Sequence, residues 1–325
     1  MQDVRFLNKS LISEPSNTMG TDIKHIVMST HLDGTDNPAL EITLTCVCPA
    51  CSQANVVFLY ERMFQGKRWS LMKCRECGQH FTNPEPSEAE IAAFYAGQYH
   101  AEIRQVDASE EIFNSKFRRY IKLIKKFVPK GSRCLDVGCA TGLFPKLLGD
   151  EGYDAWGIEV NEESAAWGRQ HYGARISIST LEDLEMPSTP FGLITFTDVL
   201  EHTVDPLRVL ERAKQLLTID GHVLVTFPDI TSLESIYYRA LSKLFHRDWL
   251  WVTCHIPLHT WEFTPKTAAS LFTAAGLEVV DFRRTYQPIR LEGKLRVISL
   301  LPQLLSIAPR LFGTQMEFML RRRVE

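Results

Sequence analysis

The chain has 325 residues and a formal net charge of −3, with 45% apolar and 23% charged residues. That length buries a sizeable core and suits one large domain or two unequal ones, while the charge balance gives no general attraction to nucleic acid or an anionic bilayer. The first twenty residues lack a long apolar core, and the apolar run VISLLPQLLSIAPRLF is broken by Pro302, Pro309 and Arg310, so neither secretion nor a membrane span is expected and the cytoplasm is the predicted location.

Residues 1–39 are polar and without sustained period, which reads as a loose arm. Over 40–84 the pattern turns to short strand-like runs, NVVFLYERMF and WSLMKC, joined by the turn QGKR. Two C-x-x-C pairs, Cys48/Cys51 and Cys74/Cys77, stand here with 22 residues between them. Two thiolates on one turn point the same way and two such turns complete a tetrahedron, so the spacing predicts a structural Zn2+ site in a small ribbon. Cys46 is a spare beside the first pair, His80 an alternative ligand, and buried unligated thiols the plainer reading. Cys134, Cys139 and Cys254 are assigned to packing.

Residues 85–130 read as a helical linker and cap. SEAEIAAFYAG opens with a Ser87/Glu90 capping box and stops near Gly97. The next helix, within SEEIFNSKFRRYIKLIKKFV, gathers Phe113, Phe117, Tyr120, Ile121, Ile124 and Phe127 on one face before Pro129 and Gly131 end it. Tyr95, Tyr99 and His100 are placed to close over a ligand.

From 131 to 325 strands and helices alternate. CLDVG, DAWGIEV, RISIST, LITFTDV, HVLVTFP, LEVVDFRR and MEFMLRRR give seven strands, with helical stretches between the early ones. This predicts an α/β fold, a doubly wound, mostly parallel Rossmann-like sheet, with insertions at 229–264 and 286–313. One of the last two strands is expected to pair antiparallel at the sheet edge.

The turn after the first strand, RCLDVGCATGLF, lets a ligand approach the backbone. A dinucleotide site, as in an NAD-dependent oxidoreductase, wants G-x-G-x-x-G; here position 140 is Ala, and Asp136 would repel a pyrophosphate but suit a cation. LDVGCATG instead resembles the first motif of class I S-adenosylmethionine-dependent methyltransferases. The resemblance implies that Asp136 offsets the cofactor's cationic groups and that Gly138, Cys139 and Gly142 pass close beneath the adenosine. Glu159 ends WGIEV, 21 positions after Gly138, near the offset of about 20 expected of a ribose-binding acid; the plainer reading makes it a cap for the helix near Asn161. STLEDLEMP resembles the family's adenine-reading segment and puts that contact at Thr180 and Leu181, although the family usually has Asp where Thr180 stands; Glu182 or Asp183 would substitute.

FTDVLEHTVDPLRVLERAKQLL resembles the D-x-x-E-H-x-x-D-P block of one large branch of these enzymes, which implies that Asp198, Glu201 and His202 lie nearest the transferred methyl, Asp198 toward the cofactor. Methyl transfer needs the acceptor held in line and its proton removed, and His202 is the first candidate base, with the alternative that it only orients its loop. FHRDWLWVTCHIPLHTWEFTP resembles a W…P…H…F-T segment of related enzymes. It implies an acceptor pocket built from Trp251, His255, His259, Trp261 and Phe263, His259 matching best; a metal held by His202, His255 and His259 is a further option. CRECGQHFTNPEPSEAEIAAFY looks like the end of the zinc ribbon of bacterial methyltransferases that modify sugars, lipids or secondary metabolites. The family reading is thus O-methylation of a small or medium-sized acceptor. An RNA methyltransferase or nucleic-acid reader docked by the ribbon is the other class, disfavoured by the net charge. The segment 286–313, with Arg290, Lys294, Arg296 and Arg310, is read as a lid, a homodimer face or a peripheral membrane contact.

Overall fold

The computed structural model describes residues 46–87, 89–91, 93, 106–245, 256–286 and 313–323. The arm at 1–39, Tyr95, Tyr99, His100, Trp251, Cys254, His255 and residues 287–312 lie outside that set. The chain divides into two compact units, residues 1–46 and 47–325, and the architecture that follows is that of the second.

A four-stranded antiparallel sheet comes first. Strands β1 (Val56–Phe64) and β2 (Lys67–Cys74) form a hairpin. Its turn residues Gln65 and Gly66 both take positive φ, 50° and 75°, the twist that a two-residue hairpin turn requires. Strand β3 (His80–Asn83) follows, and the sheet closes in the order β1-β2-β3-β9 with β9 (Trp261–Glu262), a strand supplied from far along the chain. After β3 the Ser87/Glu90 box forms as the sequence predicts: Ser87 N donates to Glu90 Oε2 at 3.0 Å and Glu90 N to Ser87 Oγ at 3.2 Å.

The second sheet has the seven strands expected. Helix α1 (Val106–Ile124) leads into β4 (Arg133–Val137), α2 (Leu143–Asp150), β5 (Asp154–Glu159), α3 (Glu162–Tyr172) and β6 (Ile176–Ile178). Then come β7 (Phe191–Thr197), a 3-10 turn at Leu200–His202, α4 (Pro206–Leu216), β8 (Leu217–Pro228), α5 (Leu233–Phe245), β9, α6 (Pro265–Ala274), β10 (Leu277–Thr285) and β11 (Gln315–Arg322). The strand order is β10-β11-β8-β7-β4-β5-β6, with β4 to β8 parallel.

The last two strands pair antiparallel at the sheet edge as expected: β10 is the edge strand, and β11, between β8 and β10, is antiparallel to both. Six successive residues of β11, Gln315–Leu320, are buried, and a strand covered on both faces belongs inside a sheet. Two apolar clusters flank this sheet, one around Phe196, Val225, Phe227 and Phe318, the other around Tyr120, Phe144, Leu193 and Met319. Neither includes a residue of β1, β2 or β3.

Candidate functional site

In an open α/β sheet ligands bind outside the carboxyl ends of the strands. A cavity of about 680 Å³ opens among the turns at the other end, lined by Gly131, Arg133, Asp154, Pro190 and His222; it contains none of the candidate residues. At the carboxyl ends, the loop after β4 takes positive φ at Gly138 (64°), Ala140 (51°) and Gly142 (75°). Ala140 thus adopts the left-handed conformation usually left to glycine, at a cost of about 1–2 kcal/mol. Gly138 and Gly142 leave no room for a side chain: a Cβ would lie 2.9 Å from Val199 Cγ2 at the first and 2.6 Å from Ile176 Cδ1 at the second.

Glu159 holds this loop in place. At the end of β5 its Oε2 accepts from Ala140 N at 2.9 Å and its Oε1 from Asn161 N at 2.8 Å. The cap of α3 is Asn161 itself, whose Oδ1 accepts from Ser164 N at 2.9 Å. A carboxylate has about four acceptor sites, so each Glu159 oxygen retains capacity for a ligand hydroxyl. Asp136 is buried, and Thr195 Oγ1 donates to its Oδ1 at 2.5 Å. Burial pushes its carboxyl up to about 7 against that hydrogen bond, with Glu159 adding to the rise. Cys139 offers the site only backbone: its side chain packs with Ala165 and Ile176, and its amide donates to Ile158 O at 3.0 Å. On the far side of β6, Thr180 is exposed and exchanges hydrogen bonds with Asp183, Oγ1 to Oδ2 at 2.7 Å and N to Oγ1 at 3.1 Å. The Leu181 side chain is buried in the main core.

Across the crevice, Asp198 follows β7 with φ 59°. Its Oδ2 accepts from Lys116 Nζ and its Oδ1 from Gln315 Nε2 and, at 3.2 Å, Thr226 Oγ1. Burial alone would raise this carboxyl, but Lys116 and the two further donors hold it below its usual range. Lys116 is itself buried, and Asp198 keeps it charged against that burial. The sequence reading missed Lys116 and Gln315. Lys116 had a signal: it recurs with Phe113 and Tyr120 at i+3 and i+4 spacing, a cation on the apolar face of α1.

Glu201, His202 and His259 converge beside Asp198, one ligand atom from each lying within 4.8 Å of the others. The two imidazoles meet edge to face, centroids 4.7 Å apart. His202 Nδ1 is 3.1 Å from Leu258 O; a carbonyl only accepts, so Nδ1 carries a hydrogen. His259 Nδ1 is 2.9 Å from Glu262 Oε1, which places a hydrogen on that nitrogen too. Burial lowers His259 to about 4, so its ring is neutral. Glu201 is buried with no hydrogen-bond partner on either carboxylate oxygen among the described residues, and burial, then Asp198, pushes it well above the usual range. Of the aromatic residues expected here, Trp261 and Phe263 are buried in the main core.

The four-stranded sheet reaches this cluster through hydrogen bonds. Thr82 Oγ1 of β3 donates to His259 O at 2.7 Å, Thr82 N to Thr260 O at 2.9 Å, and Thr260 N to Glu201 O at 2.8 Å. Gln79 Nε2 donates to Glu262 O at 3.0 Å. Behind β3 stand the four cysteines. Cys48 Sγ is 3.6 Å from Cys77 Sγ, and Cys51 Sγ 3.6 Å from Cys74 Sγ; all four sulfurs lie within 4.8 Å of one another. Zn–S bonds of about 2.3 Å in a tetrahedron separate sulfurs by about 3.8 Å, so this donor set fits that ion. Burial raises Cys74, but the amides of Cys77 and Glu76 and the adjacent thiols hold it at about 7. Neither Cys46 nor His80 belongs to the group.

The methyltransferase domain family model matches residues 112–281, just over half of the chain. The chain is 34% identical over 101 residues to a ubiquinone biosynthesis O-methyltransferase of Haemophilus ducreyi, 28% of this chain and 43% of that protein. It is 28% identical over 156 residues to an uncharacterized protein of Methanocaldococcus jannaschii, 47% of this chain and 70% of that one. The chain spans less than half the length of the ubiquinone biosynthesis relatives it matches. Its fold is similar to that of a SAM-dependent methyltransferase from Thermotoga maritima, with TM-score 0.50 and 17% identity over 72% of this chain and 100% of that one.

Proposed function

This chain belongs to the methyltransferase domain family, and from that premise we propose that it transfers the sulfonium methyl of S-adenosylmethionine to a hydroxyl of a small or medium-sized acceptor such as a saccharide, lipid or secondary metabolite. The observation that carries the reading is the pairing of two half-sites at one end of the sheet. The glycine loop clipped to Glu159 suits the cofactor, and Glu201, His202 and His259 face it as acceptor groups. The partial likeness to an O-methylating relative supports oxygen as the acceptor atom. No helix among the described residues is long and apolar enough to cross a membrane, in keeping with a cytoplasmic enzyme. The cysteine module holds a structural Zn2+ in this reading.

In the proposed complex the cofactor carboxylate meets amides of the loop, and Asp136 offsets its positive charge. Glu159 takes the ribose hydroxyls, the Thr180–Asp183 turn and the Leu181 amide border the adenine, and Asp198 with Lys116 separates cofactor from acceptor. The three groups of the acceptor half-site receive the acceptor oxygen and provide for loss of its proton.

Calorimetric titration with S-adenosylmethionine, S-adenosylhomocysteine and NAD tests the cofactor half. The adenosyl ligands are expected to bind and NAD not to; the reverse overturns the reading. Glu159→Gln replaces one acceptor oxygen with a donor that faces a backbone N–H, so adenosyl affinity is expected to drop by about ten- to a hundredfold, the loss of one charge-assisted bond.

Asp136 gives a pH signature. With its carboxyl near 7 in the unliganded chain, a cationic cofactor must first displace a proton at lower pH. Relative to Asp136→Asn, wild-type affinity for S-adenosylmethionine is therefore expected to fall below pH 7, by at most about tenfold per pH unit. Parallel profiles for the two proteins would remove Asp136 from the site.

A further inference from the structure

We propose that Glu201, His202 and His259 bind a divalent first-row cation, and that this cation holds the acceptor by two adjacent oxygens. The inference deepens the methyl-transfer reading and rests on it for the acceptor, but the cation site stands on its own geometry. Three donors of mixed type converge, with one atom from each within 4.8 Å of the others. Both histidines have their tautomers fixed from behind, His202 by Leu258 O at 3.1 Å and His259 by Glu262 Oε1 at 2.9 Å. Ligating histidines are commonly oriented this way, the outer nitrogen donating to a carbonyl or carboxylate while the inner one faces the metal.

Glu201 supplies the independent observation. It is 1% exposed, and neither of its oxygens has a hydrogen-bond partner among the described residues. An ionised carboxylate left so is costly, and a bound cation offsets that cost in place of a proton. The local charge agrees. Glu262 is also 1% exposed, and the nearby buried ammonium, Lys116, is already paired with Asp198. The acids of the centre thus outnumber its cations.

Donor chemistry selects the ion. Two imidazoles with one carboxylate favour first-row metals such as Mn2+, Fe2+, Co2+ or Zn2+ over Ca2+ and Mg2+, which prefer oxygen alone, and three protein ligands leave coordination positions open. A vicinal diol, a catechol or an α-hydroxy acid would fill two of them as a chelate. The step balances without further reactants: the cation-bound hydroxyl releases its proton to solvent, its oxygen forms the new C–O bond, and the C–S bond breaks to leave S-adenosylhomocysteine as a neutral thioether.

The test uses the full chain with zinc already in its cysteine cluster, titrated with MnCl2 while the signal of free Mn2+ is followed by electron paramagnetic resonance. One further Mn2+ per chain is expected. Glu201→Gln and His259→Gln should abolish this binding, and Glu262→Gln, which loosens only the orientation of His259, should weaken it by about ten- to a hundredfold. Calorimetry with S-adenosylhomocysteine and thermal melts on each variant report separately on the cofactor reading and on folding. A folded wild-type chain that takes up neither Mn2+ nor Co2+ beyond the cysteine cluster overturns the proposal, whatever its cofactor affinity. Equal Mn2+ uptake by wild type and Glu201→Gln overturns it as well.

Discussion

Serine in place of Cys74 is expected to lower methyl transfer by about a hundredfold or more, the penalty for misplacing reacting groups by about 1 Å, while S-adenosylhomocysteine binding changes little. Cys74 ends β2 and its amide takes the Gln79 carbonyl at 2.8 Å, so it sets the start of β3. Strand β3 in turn pairs with Trp261 and Glu262, and Thr82 and Gln79 hold the carbonyls of His259 and Glu262. A structural zinc is worth about 10–16 kcal/mol in small zinc-dependent folds, so with the proposed zinc in this cluster, losing one of four thiolates dismantles the template of the proposed acceptor half-site. The proposed cofactor half-site stands on β4 and β5, whose apolar clusters draw nothing from β1 to β3. Loss of turnover with cofactor binding retained would mark the cysteine module as a positioning element for His259. Loss of both would mean that it supports the whole fold, and unchanged turnover would remove the module from function.

Alternation of strands and helices made the large sheet legible from sequence, because parallel strands buried on both faces read as short apolar runs such as Leu193–Phe196. The place of β11 was not legible. Its apolar run fits an edge or an interior strand equally in sequence, and only pairing with both β8 and β10 decides. The cysteine spacing carried the four-sulfur group because ligands on two turns leave a local signature. Gln79 left none: it acts through a contact 183 residues away along the chain, formed where β3 meets β9. Lys116 lies between these cases, since its helical face was visible but its partner, Asp198, sits on another element.

Gly168 is a second residue with no motif to announce it, and Gly168→Ala is expected to weaken adenosyl binding by about tenfold or more while destabilising the chain by about 1–3 kcal/mol, the usual cost of overpacking. Helix propensity argues the opposite, since alanine is favoured over glycine in a helix interior by about 1 kcal/mol. The packing decides the sign. A Cβ at Gly168 would lie 2.0 Å from Thr141 O and 2.7 Å from Thr141 C. Thr141 is backbone of the loop that Glu159 grips at Ala140, so no rotamer change relieves the overlap. Either α3 moves away from the sheet or the loop lifts, and the second outcome breaks the Glu159 clip. Gly149 provides the matched control: it is an exposed glycine of α2 with nothing within 4 Å of the added Cβ. Gly149→Ala should therefore follow propensity and stabilise the chain by about 0.5–1 kcal/mol without changing cofactor affinity. Thermal melts and calorimetry on the two variants separate the effects. Opposite signs in stability, with affinity lost only for Gly168→Ala, identify close contact between α3 and the glycine loop as the feature that shapes the cofactor half-site; equal behaviour would show that the loop can yield without losing its ligand.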